Sequence, residues 1–368
     1  MFVVPKVKFG DVVKEVKNKI DRNNNPYEYY VAGDHMDSED LTIHRRGCFA
    51  TDDVGPAFIR EFRKGQVLYG SRRTYLKKVA VADFDGVTAN TTFVLETKDQ
   101  NVLLQELLPF IMLTDNFTKW SIGKSKGSTN PYILFSDLAD YEFDLPTIEE
   151  QRKLATVLWK MFRLKEGYVE LQHQSDQLVQ SQFIEMFGNP NDTQTEFVVT
   201  DALEIRDDLR KPLNDGVRST MYEGTLYPYY GANGKVDEIN QYLMDCDAIC
   251  LAEDCGSYGA GEPSSYIVSG KVWVNNHAHI LIPKTNCNIR FANEYFRLLD
   301  ITQYISGTTR AKLTQGQLKI LPMMIPDIEK QEAFCALIEQ FDKSKFAAKQ
   351  ALENLERTQK SLMNRYLG

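Results

Sequence analysis

The sequence predicts a mixed α/β (α+β) protein with a pseudo-two-fold internal repeat, in which two similar domains are each followed by one long helix. The chief observation is a phrase that occurs twice, as LPTIEEQRKLATVL at 145–158 and as IPDIEKQEAFCALI at 325–338. The length of 368 residues also allows two or more domains with separate cores. We therefore predict four successive segments, at 1–145 (first domain), 146–188 (central helix), 189–325 (second domain) and 326–368 (C-terminal helix).

The two domains are predicted from short β-rich runs, such as VAVADF (79–84), that alternate with Gly- and Asn-bearing turns. The domains also match each other in sequence. ANTTFVL (89–95) lies opposite NNHAHIL (275–281), and the segment 69–71 lies opposite 255–257, because both contain a Gly-Ser pair. These matches extend the repeat from the long helices to the domains before them.

Each long helix is predicted to begin at a proline, Pro146 or Pro326, because proline is tolerated in the first turn of a helix. About 40 residues give a helix of roughly 60 Å, which is typical of coiled-coil partners or spacers. A two-fold pseudo-axis would place the helices antiparallel, with the domains at opposite ends; two ordinary core helices within one bundle are the alternative. Heptad-spaced apolar residues define the predicted helix-pair or partner interface: Val157, Met161, Leu164, Tyr168, Leu171, Leu178, Phe341, Ala348, Leu355 and Leu362.

The motifs of common enzymes are absent from the sequence, which contains no GxGxxG, GxxxxGK[ST] or HExxH and no adenine-methyltransferase tetrapeptide. His277 and His279 alternate on a predicted strand and point to one face. The matching positions, Thr91 and Phe93, cannot ligate a metal. We therefore expect a hydrogen-bonding pair there, no metal site and no cofactor in this chain, and a binding protein rather than an enzyme.

The formal net charge of −8 differs from the basic surface of a usual nucleic-acid-binding protein. Contact with DNA would therefore need local basic groups or partner subunits that share the neutralisation of phosphates. The six cysteines are scattered without a CxxC pair, so we expect reduced core residues. With no run of 18 apolar residues and no signal-peptide core at the N-terminus, we expect a cytoplasmic protein.

Polar, Gly-containing loops precede both long helices, as WSIGKSKGSTNPYI (120–133) and YISGTTRAKLTQGQL (304–318). A second basic cluster, GSRRTYLKK (70–78), lies opposite the neutral to acidic GSYGAGEPSSY (256–266). Small residues allow close backbone approach, while cations and hydroxyls can bond to phosphates or base edges. The candidate DNA-binding residues are Arg72, Arg73, Tyr75, Lys124, Lys126, Ser128, Tyr258, Thr308, Thr309, Arg310 and Lys312.

Taken together, these segments resemble the specificity subunit of type I restriction-modification systems over essentially the whole chain. The resemblance is most specific in YPYYGANGKVD (227–237) with GSYG (256–259), in NNHAHIL (275–281) and in TTRAKLTQGQLKILPMMIPDIEKQ (308–331). It is looser in GSRR (70–73), ANTTF (89–93) and LFSDLADYEFDLPTIEEQ (134–151).

The resemblance implies two target-recognition domains, each of which reads one half of a bipartite site in double-stranded DNA. The antiparallel helices would set the gap between the half-sites and dock two methylation subunits. Those subunits would form an adenine-N6 methyltransferase that uses S-adenosylmethionine, and restriction subunits that use ATP and Mg²⁺ could join them. The competing hypothesis is a protein–protein adaptor with two interaction domains on a coiled-coil spacer and no role in DNA binding.

Overall fold

The computed structural model describes residues 6–254, 256–307 and 311–368. The chain forms two compact units, Met1–Val169 with Lys349–Gly368, and Glu170–Ala348. Each unit therefore combines one mixed α/β domain with part of each long helix. The mixed α/β class and the internal repeat predicted from the sequence are confirmed.

The first unit contains two four-stranded sheets, ordered β2-β9-β6-β7 and β4-β3-β8-β5, and a two-stranded sheet β1-β10. Its strands are β1 (Lys6–Lys8), β2 (Val13–Val16), β3 (Tyr29–Val31), β4 (Gly47–Cys48), β5 (Phe58–Phe62), β6 (Val67–Gly70), β7 (Val79–Val81), β8 (Gly86–Ala89), β9 (Thr92–Thr97) and β10 (Glu142–Asp144). Its helices are α1 (Phe9–Val12), α2 (Leu108–Met112), α3 (Asp115–Lys124), α4 (Phe135–Ala139) and the first part of α5 (Ile148–Phe187).

The second unit repeats this topology, with sheets ordered β11-β18-β15-β16 and β13-β12-β17-β14. Its strands are β11 (Leu203–Ile205), β12 (Tyr227–Gly231), β13 (Gly234–Ile239), β14 (Met244–Asp245), β15 (Ala248–Ala252), β16 (Ser265–Val268), β17 (Lys271–Val274) and β18 (Ala278–Pro283). Its helices are α6 (Val199–Ala202), α7 (Asp215–Arg218), α8 (Ile289–Leu298), α9 (Gln315–Lys319) and the first part of α10 (Ile328–Leu367).

The strand register corrects one sequence match between the domains. Tyr69 of β6 lies opposite Phe93 of β9, and Leu251 of β15 lies opposite His279 of β18. Segment 69–71 therefore corresponds to 251–253 and not to 255–257 as predicted. The prediction was wrong because it followed a Gly-Ser pair, whereas position in a sheet is set by strand pairing.

A buried glutamine fastens each long helix to its domain in the same way. Gln151 Nε2 donates to the carbonyls of Pro146 (2.9 Å) and Val102 (2.8 Å), and its Oε1 accepts the N–H of Leu104 (3.0 Å). Gln331 repeats all three bonds. Its partners are the carbonyls of Pro326 (2.7 Å) and Asn286 (3.0 Å) and the N–H of Asn288 (2.8 Å).

The two long helices pack antiparallel within each unit, as predicted. In the first unit, Gln359 of α10 donates to the carbonyl of Leu158 on α5, and the next contact along α5 is the ion pair between Lys165 and Glu356 at 2.8 Å. The residue number rises on α5 while it falls on α10. In the second unit the contacts run in the same sense, from the ion pair Asp176–Lys345 (2.5 Å) to the rings of Phe183 and Phe334 (5.3 Å).

The prediction that the heptad-spaced apolar row of α5 forms the contact with α10 is wrong. The apolar side chains of α5 that are buried in the cores are Ala155, Leu158, Phe162, Val179 and Phe183. The exposed residues of the predicted row lie beside this face, as Val157 adjoins Leu158 and Leu178 adjoins Val179, because neighbouring positions on a helix are about 100° apart. Four residues of the predicted row are 44–50% exposed: Val157, Leu164, Leu171 and Leu178.

The other members of the predicted interface lie closer to the cores. On α5, Met161 and Tyr168 are half-buried. On α10, Ala348 is buried and Phe341 and Leu362 pack against the cores of their units. Leu355 is half-buried. The row predicted on α10 therefore faces inward, and a role for the exposed α5 row in partner binding stays a prediction.

No helix among the described residues is both long enough and apolar enough to cross a membrane. The described cysteines are free thiols: Cys48, Cys246, Cys250, Cys287 and Cys335. Burial raises the pKa of the Cys250 thiol to about 12, so at neutral pH it is an unreactive core group.

Candidate nucleic-acid interface

The two basic loops predicted in the first domain lie side by side. The Arg73 N–H donates to the Pro131 carbonyl (2.6 Å), and Arg72 forms an antiparallel bridge with Tyr132. The hydroxyls of Thr74 and Ser125 are 3.2 Å apart. Segments separated by some fifty residues in sequence thus form one surface, which we call basic surface 1 and define by Arg72, Arg73, Lys124 and Lys126.

All four cations of basic surface 1 are exposed. The Arg72 guanidinium lies 5.8 Å from the Tyr132 ring centre, and Lys124 Nζ lies 4.9 Å from that of Trp120. Lys126 Nζ is 3.0 Å from Asp137, so this cation is already paired with a carboxylate. Aromatic neighbours orient Arg72 and Lys124 without removing their charge, which leaves them suited to phosphates or base edges.

The backbone beside basic surface 1 adopts a costly conformation. Arg73 and Lys77 have positive φ angles of 50° and 48°, and they flank the helical turn Thr74–Leu76. Left-handed backbone is uncommon for residues other than glycine and clusters at ligand-binding sites. The turn presents the Tyr75 side chain, which is 52% exposed. The predicted residue Ser128 is also exposed and follows Gly127, whose φ is 89°.

The second unit builds its loop on the same backbone framework. Ser306 and Lys312 exchange N–H···O bonds of 2.9 and 2.8 Å, as Lys126 and Tyr132 do at 2.8 and 2.9 Å. The Leu313 N–H then donates to the carbonyl of Glu253, the residue that follows β15. Lys312 is exposed, and its Nζ lies 2.5 Å from Glu253. The predicted residues Thr308, Thr309 and Arg310 lie outside the described residues.

Tyr258 does not lie on the surface of the second unit. Its side chain is only 6% exposed and belongs to the core cluster of the unit. Its carbonyl accepts the N–H of Ile301 at 3.0 Å. A buried ring cannot reach a base edge without leaving the core, so the structure contradicts the prediction of Tyr258 as a DNA contact. The prediction followed the same Gly-Ser match that the strand register corrects.

A charged network behind this loop was missed by sequence reasoning. His279 is fully buried, with Nδ1 2.8 Å from Asp207 Oδ2 and Nε2 2.8 Å from the Leu313 carbonyl. Arg210 Nη2 lies 3.1 Å from Asp207, and its Nη1 also bonds to Glu253. His279 stood out in the sequence, but its partners lie in an ordinary charged stretch, IRDDLRK (205–211), which carries no recognisable signal.

The network keeps both of its carboxylates ionised. Burial would raise the pKa of Asp207, but the hydrogen bond and charge of His279 and the charge of Arg210 lower it below its ordinary value. Burial would likewise raise the pKa of Glu253, and bonds from Lys312 and Arg210 lower it. Asp207, Glu253 and His279 have ligand-type atoms close enough to hold a metal ion. These atoms already bond to cations and N–H donors, so the arrangement is better described as an ion-pair network.

The pair His277 and His279 does not act as one unit. His277 Nδ1 lies 2.7 Å from Asp254, whereas His279 bonds to Asp207 on a different segment. The His277 side chain is 38% exposed and the His279 side chain is fully buried. The two imidazoles are therefore hydrogen-bonding groups with separate carboxylate partners.

A family model described as the type I restriction modification DNA specificity domain matches residues 6–171 and 199–357. The putative type I restriction enzyme specificity subunit S.HindORF215P of Haemophilus influenzae is 31% identical over 139 residues, which cover 38% of this chain and 35% of that protein. The type I restriction enzyme EcoDI specificity subunit of Escherichia coli is 27% identical over 154 residues, which cover 42% of this chain and 33% of that protein. Each alignment thus spans about a third of the curated relative's own length.

Two solved structures share the fold. The crystal structure of the S subunit of a type I restriction-modification system from M. genitalium gives a TM-score of 0.61 at 14% identity, covering 98% of this chain and 95% of that chain. A chain from a structure of complex assembly and conformational transition of the type I restriction-modification system gives 0.55 at 18% identity, covering 100% and 99%. Because the family model covers both halves of the sequence, this chain belongs to the family of type I restriction-modification DNA specificity domains.

Proposed function

We propose that this chain selects the DNA target of a type I restriction-modification complex, and that each mixed α/β domain reads one half of a bipartite site in double-stranded DNA. The observation that carries the proposal is one loop framework that recurs with different side chains. Where the first unit has Ser71 and Arg72 after β6, the second has Glu253 and Asp254 after β15. Base pairs are distinguished by side-chain donors and acceptors, so different side chains on one framework suit two different half-sites.

Local charge supports this function despite the net charge of −8. Arg72, Arg73 and Lys124 project from one edge of the first unit, and Lys312 lies at the equivalent loop of the second. Arginine and lysine at such positions would contact phosphates or guanine edges. Partner subunits would supply the remaining neutralisation of the phosphates.

The long helices would set the gap between the half-sites and dock two methylation subunits. The exposed row Val157, Leu164, Leu171 and Leu178 supports the docking role, because heptad-spaced apolar side chains on a helix favour helical partners. The methylation subunits would bind S-adenosylmethionine and methylate adenine N6. Restriction subunits, where present, would bind ATP and Mg²⁺. This chain would contribute recognition and no catalysis, in the cytoplasm where the DNA lies.

A methylome tests the proposal. The chain is co-expressed with its neighbouring methylation subunit in a host without DNA methylation, and N6-methyladenine is mapped by single-molecule sequencing. We expect a split motif with a fixed gap. A soluble complex with the methylation subunit that leaves no motif would overturn the proposal and favour the adaptor hypothesis.

A further inference from the structure

The loop before each long helix is held to its sheet by side chains of different chemistry in the two units. The backbone bond is shared: the Ile133 N–H donates to the Ser71 carbonyl (2.9 Å), and the Leu313 N–H donates to the Glu253 carbonyl (2.8 Å). In the first unit an aromatic contact supports it. The ring of Phe93 on β9 lies 6.1 Å from the ring of Phe135 at the start of α4.

The second unit replaces this apolar contact by polar ones at the equivalent positions. His279 takes the place of Phe93, because it lies opposite Leu251 as Phe93 lies opposite Tyr69. Gln315, at the start of α9, takes the place of Phe135. Its Nε2 donates to Asp207 Oδ2 (3.1 Å), the same oxygen that His279 Nδ1 approaches.

With Asp207 ionised, a proton on both ring nitrogens satisfies both hydrogen bonds of His279. Nε2 lies 2.8 Å from the carbonyl oxygen of Leu313, which can only accept. Nδ1 lies 2.8 Å from a carboxylate oxygen of Asp207, which Arg210 also contacts at 3.1 Å. An ionised carboxylate can only accept, so two acceptors face the two nitrogens.

Two carboxylates lie beside the His279 ring. Besides Asp207, the carboxylate of Glu253 lies 3.9 Å from Nδ1. The two carboxylates face Arg210, and Glu253 also pairs with Lys312. One further positive charge on the ring would therefore sit between two negative groups that are shared with two cations.

We propose that the His279 imidazolium is a positioning residue for the second recognition loop, and that selection of the second half-site depends on its two hydrogen bonds. The inference rests on the proposed function and deepens it. His279 holds the Leu313 carbonyl, and Leu313 directly follows the exposed Lys312. Losing either N–H releases this end of the loop. The first half-site has no such dependence, because Phe93 has no proton to lose.

The protonation state can be observed directly in the full-length chain. The sequence has 5 histidines, so a chain labelled with ¹⁵N only in histidine gives few imidazole signals, and His279→Phe identifies the signal of His279. We expect the ¹⁵N pattern of a doubly protonated ring at neutral pH. The pattern of a neutral tautomer would overturn the inference.

The dependence of recognition on His279 is tested with the assembled methylation complex and DNA duplexes. The duplexes carry the motif obtained from the wild-type methylome, with single base changes in one half-site or the other. His279→Phe installs the residue of the first unit. Asp207→Asn is the second variant, should the first fail to fold, and Asp208→Asn is its matched control, since that exposed carboxylate pairs with Arg206 instead.

We expect His279→Phe and Asp207→Asn to reduce discrimination at the second half-site about tenfold, the effect of one charged hydrogen bond. Discrimination at the first half-site and the behaviour of Asp208→Asn should stay within about twofold of wild type. Unchanged discrimination at the second half-site, or equal losses at both, would overturn the inference. Failure of the proposed function is distinguishable, because the wild-type chain would then give no bipartite motif at all.

Discussion

Replacing Gln151 by alanine tests whether the buried glutamine fastens the long helix to its domain. Gln151 is 1% exposed and makes three hydrogen bonds, to the carbonyls of Pro146 and Val102 and from the N–H of Leu104. The substitution removes all three bonds, of which the one to Pro146 is fully buried, and leaves three backbone groups without this partner. Gln174 supplies a matched control on the part of the same helix that belongs to the second unit, because it is exposed and its side chain bonds to Glu170, one turn away.

The expected loss of stability follows from these contacts. Three hydrogen bonds at about 1 kcal/mol each contribute about 3 kcal/mol, and the one buried methylene that alanine lacks adds about 0.8 kcal/mol. We expect Gln151→Ala to lower the free energy of unfolding of the first unit by about 4 kcal/mol. Gln174→Ala should change the free energy of unfolding of either unit by about 0.5 kcal/mol or less.

Hydrogen exchange followed by mass spectrometry measures the effect in each unit separately. Gln151→Ala should reduce protection around residues 100–110, while protection around 284–294, where Gln331 makes the equivalent bonds, stays unchanged. Urea unfolding followed by tryptophan fluorescence gives the size of the loss. A loss below about 1 kcal/mol would refute the additive argument, since it would mean that water or rearranged neighbours replace all three bonds.

Three further predictions concern the surfaces and the charged network. Arg72→Ala should weaken DNA binding by the methylation complex about tenfold, with the loss concentrated in one half-site, as fluorescence anisotropy with half-site duplexes would measure. Replacing both Leu164 and Leu171 by glutamate should abolish co-purification of the methylation subunit without lowering the melting temperature, because both side chains are exposed. The folded protein lowers the pKa values of Asp207 and Glu253, so their contribution to stability is complete above their ordinary pKa values near pH 4 and is lost as the pH falls further. The urea midpoint of the second unit should therefore drop below about pH 4. The drop should be less steep in Asp207→Asn, which lacks one of the two carboxylates.

The repeat could be predicted from the sequence because both copies contain the same residues at positions where the side chain or carbonyl makes a specific hydrogen bond. Gln151 and Gln331 are the clearest case, since each makes the same three bonds and replacing either by a shorter residue removes all three. The proline before each helix is preserved for a related reason, since its carbonyl receives one of these bonds. Such positions stay identical between copies, so they are visible in one sequence without any alignment of relatives.

Other features could not be predicted from the sequence, because several sequence patterns satisfy the same physical requirement. Val157 starts the unbroken apolar heptad row, whereas the row of Leu158 is interrupted by Lys165, so only packing shows that Leu158 enters the core while Val157 is exposed. The Gly-Ser pair at 256–257 misled the alignment of the strands in the same way. The partners of His279 were invisible because Asp207 lies 72 positions away, and only the pairing of β11 with β18 brings the two segments together.

The contrast between Phe93 and His279 explains how one framework can serve two readers. Strand order and the backbone bonds at the loop are the same in both units, so the loop can be held wherever a side chain on β9 or β18 supports it. In the first unit, the ring of Phe93 supports the loop by contact with Phe135. This contact needs no charged partner, so the residues that follow β6 can be cations such as Arg72. In the second unit, the His279 imidazolium would support the loop by hydrogen bonds, and a buried cation requires carboxylates beside it. Asp207 and Glu253 are the carboxylates beside His279. The charge that each loop presents is therefore tied to the way in which the loop is held, and a change of half-site at one of these positions would need compensating changes behind it.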